Sequence, residues 1–395
     1  MVATHIPWTP DETAAAAPSP LTVTIHRALD TAEPAWRTVE AACGGAPFQR
    51  FDMVAAWFDT LGRHQKAAPL VLTAHRPDGP AFVLPLAVTR AGPVTVARFP
   101  GGSHATVNTA LIHPAALSAL TAADARAALS ALADRGAGVD LVHLTGLPEH
   151  LDGRPNPFVD GASRRSAHAT YRVDLTDGFE AVLARHNGAK KRKRLRQQAR
   201  GYEPLGGATV RRAADAGEAH RALDAFAQQK AARFADQGLP DVFAAPGTLP
   251  WFHSLIDRAF TTDRGLFDVY LLETAGTLRA TFFVAAHGPA LHGMMNSVEL
   301  DEHAHLSPGD FINHHLIEDA AARGFALFDF GIGDARYKRS WIDEETPLHD
   351  TAVPLTTLGA MALGAVEAKR RARAWLGRHP GVYGWVQRVR RGFWK

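Results

Sequence analysis

The sequence predicts an α+β protein of two tandem domains, each a mixed sheet with flanking helices. Its 395 residues are enough for two or three domains of about 150 residues each. From Leu21 onward, apolar runs of strand length interleave with apolar residues at helical spacing. One order of elements, helix–hairpin–strand–helix–strand, then recurs after roughly 190 residues. The two helix-to-strand exits compare directly: ADRGAGVDLVHLTG at 133–146 against AARGFALFDFGIG at 321–333. In both, Arg-Gly closes a helix, because glycine accepts the left-handed turn that ends one. A short, fully apolar strand follows, as expected of a strand buried on both faces.

Residues 1–20, rich in Ala, Pro and Thr without periodicity, read as a disordered leader. The first domain is expected over 21–165. Pro47 to Gly62 sets Phe48, Phe51, Val54, Ala55 and Phe58 at helical spacing, with Gly62 as stop. Pro69–Ala74 and Ala81–Thr89 form a hairpin around Arg-Pro-Asp-Gly. Thr121–Gly136 is an Ala/Leu-rich helix and Val139–Leu144 a strand. The polar, Pro-containing stretch from Gly153 to Thr170 reads as a linker. The second domain is expected over 171–358: helices at Ala219–Gln237 and Leu249–Phe260, then a hairpin of Leu266–Thr274 and Leu278–Ala286 around Ala275-Gly276. A strand at Leu291–Leu300, a helix at Asp310–Gly324 and a strand at Ala326–Phe330 complete it. Residues 359–395 read as a basic, aromatic helical tail.

Composition excludes several classes. A single cysteine, Cys43, rules out a disulfide framework and any CxxC site. No run of about 18 apolar residues is present to span a bilayer, and the N-terminus lacks the basic and leucine-rich regions of a signal peptide. A cytoplasmic protein is expected. The net charge of +3 is a cancellation: Arg185–Arg200 and Met361–Lys395 each carry a net +8, which leaves −13 for the rest. An acidic body thus carries two basic segments.

The most informative stretch is 291–341: strand, polar loop, helix start, buried strand, Gly-rich polar loop. Ser307 is a natural N-cap, Pro308 suits the first helical position, and Gly309 lets a ligand approach the backbone. Such a turn offers unpaired N–H groups to an anion; it reads equally as a plain capped helix start, and Asp310 in the first turn favours that simpler reading. Phe328-Asp329-Phe330 then runs into Gly331-Ile332-Gly333-Asp334-Ala335-Arg336-Tyr337-Lys338, polar residues at a strand's carboxyl end, where sheet proteins build sites.

Ser-Pro-Gly, the run RGFALFDFGIGDARYKRSW and the tandem repeat resemble the GNAT superfamily of acyl-CoA N-acyltransferases. The similarity is strongest to the two-domain branch associated with bacterial cellulose biosynthesis, itself similar to the Fem-type aminoacyl transferases. It covers roughly Pro47 to Trp341. The usual Arg-x-x-Gly-x-Gly/Ala pyrophosphate signature is absent, and His305-Leu306-Ser307-Pro308-Gly309 stands in its place. The resemblance implies tandem GNAT-like domains and direct transfer of an acyl group from acetyl-CoA or another acyl-CoA to an amine, without a metal. It implies Ser307, Pro308 and Gly309 as the thioester-binding turn and Tyr337 as the acid for the leaving thiolate. Asp334, Glu299 and Asp301 are candidate bases, with Asp334 nearest the matched motif. Lys338, Arg336 and Asp301 are candidate substrate ligands, although each also reads as an ordinary surface charge. The first repeat has Phe99–Asn108 in the corresponding loop, without Ser-Pro-Gly, so this copy is expected not to bind a thioester; His104 and Asn108 would wall a cleft between the domains.

Other signals are weaker. His314-His315-Leu-Ile-Glu-Asp319 matches the HHxxxD of condensation-type acyltransferases, but Ala320 replaces the glycine, and His315 and Asp319 share a helix face as a local pair would. His303 and His305 lack a third ligand at metal spacing. No GxSxG or GxxxxGK[ST] occurs. Lys190–Arg200 reads as a solvated helix with Leu195 and Ala199 on its apolar side, or as a rim for CoA phosphates, with nucleic acid a weaker alternative for lack of interleaved aromatics. Trp385, Val386, Val389, Phe393 and Trp394 alternate with Arg388, Arg390, Arg391 and Lys395, as in a peripheral membrane helix or a packed tail. The expected partner is a small-molecule amine, amino sugar or surface-polysaccharide precursor. The alternatives are a Fem-like transferase fed by aminoacyl-tRNA and a non-catalytic binding protein on the same fold.

Overall fold

The computed structural model describes residues 20–333 and 336–378, with the side chains of Arg264, Arg336, Tyr337 and 373–378 outside the description. The expected leader, but for Pro20, and the aromatic tail beyond Arg378 lie outside the described residues. In the first half the chain runs β1 (Thr22–His26), α1 (Leu29–Ala42), α2 (Phe51–Trp57), β2 (Ala68–Arg76), β3 (Gly79–Ala91), β4 (Val94–Arg98), β5 (Leu111–Ile112), α3 (Pro114–Leu117), α4 (Ala122–Asp134), β6 (Leu141–Pro148), the small hairpin β7 (His150–Leu151) and β8 (Arg154–Pro155), and β9 (Arg164–Asp174). The second half runs α5 (Gly178–Arg185), α6 (Gly188–Tyr202), β10 (Thr209–Arg212), α7 (Ala216–Asp236), α8 (Thr248–Thr261), β11 (Asp268–Thr274), β12 (Thr277–His287), β13 (Ala290–Val298), α9 (Pro308–Ala322), β14 (Leu327–Ile332), α10 (Arg336–Arg339), β15 (Glu344–Pro354) and α11 (Thr357–Arg378).

Local chemistry explains the elements that the sequence announces. Thr121 accepts from the Asp124 amide while the Asp124 carboxylate accepts from that of Thr121, a capping box that starts α4. Ala275 and Gly276 both take left-handed backbone, φ +49° and +75°, which is the twist a two-residue hairpin needs between β11 and β12.

The sheet, however, is not divided in two. Its strands lie in the order β1-β2-β3-β4-β6-β15-β9-β14-β13-β12-β11-β10, with β5 beside β3. Each half contributes its first five long strands to its own side and its sixth to the other. β9, from the first half, pairs antiparallel with β14; β15, from the second, pairs antiparallel with β6; and β9 and β15 pair with each other at the centre. The last seven residues of the stretch expected as a linker, Arg164–Thr170, therefore belong to a central strand, and the boundary expected between 165 and 171 falls inside β9.

The halves also share a core. Met53, Trp57 and Leu61 of the first pack with Phe226, Trp251, Phe252 and Phe283 of the second. Each fully buried Leu or Phe here contributes about 1.5–3 kcal/mol. Gly247, at φ +86°, passes so close that a Cβ would lie 2.8 Å from Leu61 Cα. Arg50 adds a polar tie, donating to the Ala286 carbonyl at 3.0 Å and pairing with Glu40 at 3.2 Å and Asp263 at 2.6 Å.

Candidate functional site

The second half opens where β13 and β14 part. They pair in parallel only over Ala290–His292 and Leu327–Asp329. At Gly331 (φ +69°) the chain turns, and a Cβ there would press to 3.2 Å on the Gly293 carbonyl. β13 continues to Val298, so the two strand ends diverge. After a short 3-10 turn, Ala304–Leu306, the backbone at Ser307 adopts left-handed φ 56°, ψ 61°, and Pro308 begins α9 with its preset φ. Ser307 was expected to cap α9 with its hydroxyl. Instead its carbonyl accepts from the Asp310 and Phe311 amides (3.0 and 3.2 Å), and its side chain makes no capping bond.

A left-handed serine costs about 1–2 kcal/mol, and α6 supplies the restraint. The buried Gln198 donates from Nε2 to the carbonyls of Leu306 (3.0 Å) and Ser307 (3.2 Å). One turn on, Gly201 leaves room for Leu306, whose Cδ2 would be 2.4 Å from a Cβ there.

Beside this turn lies a cavity of about 760 Å³, walled by Asn296–Leu300 of β13 and its extension, the Ser307–Asp310 turn, and Asn313 of α9. Arg194 of α6 and Arg233 of α7 stand at its edge, and Arg194 pairs with Asp310 at 2.5 Å. Asn313 is buried, and its Oδ1 has no donor among the described residues. A ligand with an anionic group near the arginines and an amide N–H for Asn313 would satisfy both, since an unmatched buried acceptor costs about 1–3 kcal/mol. An acyl-CoA carries both features, so the residues fit it.

Glu299 stands at the end of this wall. Gln229 of α7 donates to its Oε2 at 3.1 Å and accepts from Ser297 Oγ at 2.6 Å, and Ser297 in turn is 2.8 Å from Thr281 Oγ1. Glu299 and Gln229 also line a second cavity, of about 560 Å³, between α7 and the β11–β12 hairpin. There Glu218 and Glu273 pair with Arg211 at 2.5 and 3.3 Å. Among the described residues Glu299 has no cationic partner.

The other expected site residues separate clearly. Ser307, Pro308 and Gly309 line the larger cavity. Lys338 does not reach outward to a substrate: it is buried, and its Nζ donates to the carbonyls of Phe330 (3.0 Å), Gly331 (3.3 Å) and Ile332 (2.6 Å), closing the end of β14. Asp301, expected as a substrate ligand, is paired with Arg279 and accepts from the His303 amide at 3.0 Å, and it lines neither of these two cavities. Asp334 and the side chains of Tyr337 and Arg336 lie outside the described residues. His315 and Asp319 are not partners: His315 Nδ1 faces Glu318 at 3.5 Å, while Asp319 accepts from Tyr270 and pairs with Arg323 at 3.5 Å. Ala199 is exposed, so the inward face of α6 is Lys191, Leu195, Gln198 and Tyr202 rather than Leu195 and Ala199. No group of three or more His, Cys, Asp or Glu among the described residues is placed to hold a metal.

In the first half the corresponding opening is plugged. Asn108, fully buried, takes its amide to the Gly146 carbonyl (2.9 Å) and its Nδ2 to Thr145 (3.0 Å), while Gln49 donates to its Oδ1 (2.7 Å). His104 packs among Phe243, Trp251 and Phe252, and burial lowers its pKa. Neither residue faces a cleft, contrary to the expectation.

Gln198 and Asn313 went unnoticed in the sequence. A glutamine at helical spacing from Leu195, inside a run of cations, was the available signal for the first; Asn313 has none beyond its place one turn into α9.

Residues 189–339 match the profile of the acetyltransferase (GNAT) domain family. Among solved structures the chain is similar to FemX, at 10% identity and a TM-score of 0.55, over 83% of this chain and 96% of that one. It is similar to the C-terminal domain of a protein named as a lysylphosphatidylglycerol synthetase from Agrobacterium fabrum (12% identity, TM-score 0.50, 87% and 96% covered). It also resembles a conserved protein of unknown function from Bacteroides thetaiotaomicron (12%, 0.50, 84% and 100%). At these identities the likeness is one of fold. No curated protein sequence matches the chain. The mixed α/β architecture thus stands, and residues 189–339, in the second half, carry the acetyltransferase (GNAT)-type segment.

Proposed function

We propose that the second half transfers an acetyl or other acyl group from acyl-CoA directly to an amine, on a small molecule, an amino sugar or a surface-polysaccharide precursor. The observation that carries this is Glu299, which lines both the cavity at the α9 start, beside Arg194 and Arg233, and the cavity lined by Glu218, Glu273 and Arg221. The bound thioester supplies the activated acyl group. Ser307–Gly309, Arg194, Arg233 and Asn313 hold it, and the acceptor enters from the second cavity, where Glu299 is a carboxylate without a cationic partner among the described residues. Glu299, oriented by Gln229, accepts the ammonium proton so that the amine can attack. Tyr337 remains the candidate acid by resemblance alone. The test is thiol release from acetyl-CoA across a panel of amines and amino sugars; amine-dependent release supports the reading, and its absence across the panel with every acyl-CoA tried refutes it.

A second reading, aminoacyl transfer from tRNA, is favoured by the exposed Lys190, Lys193, Arg196 and Arg200 of α6. Tight tRNA binding that falls steeply with salt would support it. We also infer peripheral association with an anionic membrane: α11 exposes Met361 and Val366 beside Lys369, Arg370 and Arg371. No helix among the described residues is long and apolar enough to cross a membrane. Vesicle sedimentation of the chain ending at Ala360 tests this, since undiminished binding removes it.

A further inference from the structure

On the other side of the α9 start lies a third cavity, of about 400 Å³, between α6, α9 and Trp341. It shares Arg194, Asp310 and Ser340 with the acyl cavity, so the two are neighbours across one ridge. Four cations line it, Arg185, Lys190, Lys191 and Arg194. Two have carboxylate partners: Arg185 holds Asp343 (2.9 and 3.0 Å), and Arg194 holds Asp310. Among the described residues Lys190 and Lys191 have none. Lys191 Nζ sits 3.4 Å from the centre of the Trp341 ring and 3.3 Å from Ser340 Oγ, a cation kept against an aromatic face, with Asp310 acting on it across the cavity but not in direct contact. The half-buried ammonium is desolvated, which lowers its pKa to about 8. Nearby His314 is buried and burial pushes it to about 4, so it adds no charge at neutral pH.

The helix itself gives an independent argument. α6 starts at Asn187, whose side chain accepts from the Lys190 amide, and its first turn holds Lys190 and Lys191 with no acidic residue. Cations at the positive end of a helix are unfavourable by about 0.3–1 kcal/mol each, the reverse of the usual placement. Arg192 recovers part of this through Glu180; the two lysines do not. A bound anion would reverse the sign for both, and the α9 start faces the same space with Asp310 already neutralised by Arg194.

Resting on the acyl-CoA reading above, we infer that this cavity binds a phosphomonoester, the 3′-phosphate at the nucleotide end of the acyl donor, through Lys190 and Lys191. The acyl cavity and the phosphate cavity would then hold opposite ends of one extended ligand across the Arg194–Asp310 ridge.

Calorimetric titration with CoA and with dephospho-CoA, which lacks only that phosphate, tests the assignment. The wild-type protein should bind CoA about tenfold more tightly. Lys191→Met should abolish the difference, Lys190→Gln should reduce it, and Lys191→Arg should keep it. Equal affinity for CoA and dephospho-CoA in the wild type would overturn the phosphate site while leaving the acyltransferase reading intact. If neither binds, the acyl-CoA reading fails, and adenosine 3′,5′-bisphosphate then decides the cavity: binding that depends on Lys191 supports an anion site, and no binding overturns it.

Discussion

Gln198 offers the sharpest perturbation of the proposed donor site, because it braces the turn from outside the larger cavity, on the wall of the smaller one. Gln198→Ala removes the donor that faces both the Leu306 and Ser307 carbonyls. The half-buried Leu306 carbonyl loses its side-chain donor, the Ser307 carbonyl keeps only the Asp310 and Phe311 amides, and the left-handed Ser307 loses its restraint. A net loss of about 1–2 kcal/mol follows from the two bonds, read as a lower urea midpoint with an unchanged slope. If the α9 start must be held for the thioester, the same energy appears as a roughly 5–30-fold rise in the acyl-CoA KM, with little change in kcat. Gly201→Ala separates function from stability. A helical Gly→Ala gains about 1 kcal/mol, but its Cβ would meet Leu306 Cδ2 at 2.4 Å and push that side chain into the same turn. Stability should change little while donor affinity falls. Two variants with different stabilities and a shared rise in KM would support the reasoning. Full donor affinity in both would refute it, whatever their stability.

Glu299→Gln keeps the bond to Gln229 but cannot take a proton, so kcat should fall by about 10²-fold or more at an unchanged acyl-CoA KM; unchanged turnover would remove the base assignment. Burial holds His292 and His314 neutral, each at about 4 against an ordinary 6.5. The unfolded chain therefore binds more protons as pH falls, and stability should decline between pH 6.5 and 4, by about 3 kcal/mol per histidine at the limit. Urea midpoints across that range check it, and His292→Leu should flatten the slope. Because β9 and β15 are exchanged and the core under α2 and α8 is shared, calorimetry should show one transition with matching calorimetric and van't Hoff enthalpies. Two separable transitions would contradict the single sheet.

What was legible in the sequence was local. Both hairpins announced themselves through turn residues, α4 through an Ala/Leu-rich run closed by Arg-Gly, and β14 through a largely apolar run after Arg-Gly. β9 and β15 gave no such signal. β9 reads RRSAHATYRVD with few buried positions, and β15 contains Pro347, Pro354, three acids (Glu344, Glu345 and Asp350) and His349. Their place in the sheet comes from partners far away in the chain, Val173 against Phe328 and Val353 against Val142, and no local period encodes that. Ser307–Gly309 was legible as the start of a helix, but the way that start is built was not, since nothing in a serine foretells φ +56°. Lys338 was noticed for its motif; only the fold shows that its three donors face carbonyls of its own strand. The basic run was visible as charge, but which cations lack a carboxylate depends on Asp343, Asp310 and Glu180 arriving from three other elements.

The central claim is that acyl transfer occurs in the second half, at the divergent ends of β13 and β14. A crystal structure of the protein soaked with acetyl-CoA tests it most directly. The account predicts the thioester in the cavity walled by Asn296–Glu299 and Ser307–Asn313, its acyl group directed toward Glu299 and Gln229. Acetyl-CoA bound instead in the first half, or with its thioester remote from Glu299, would contradict it.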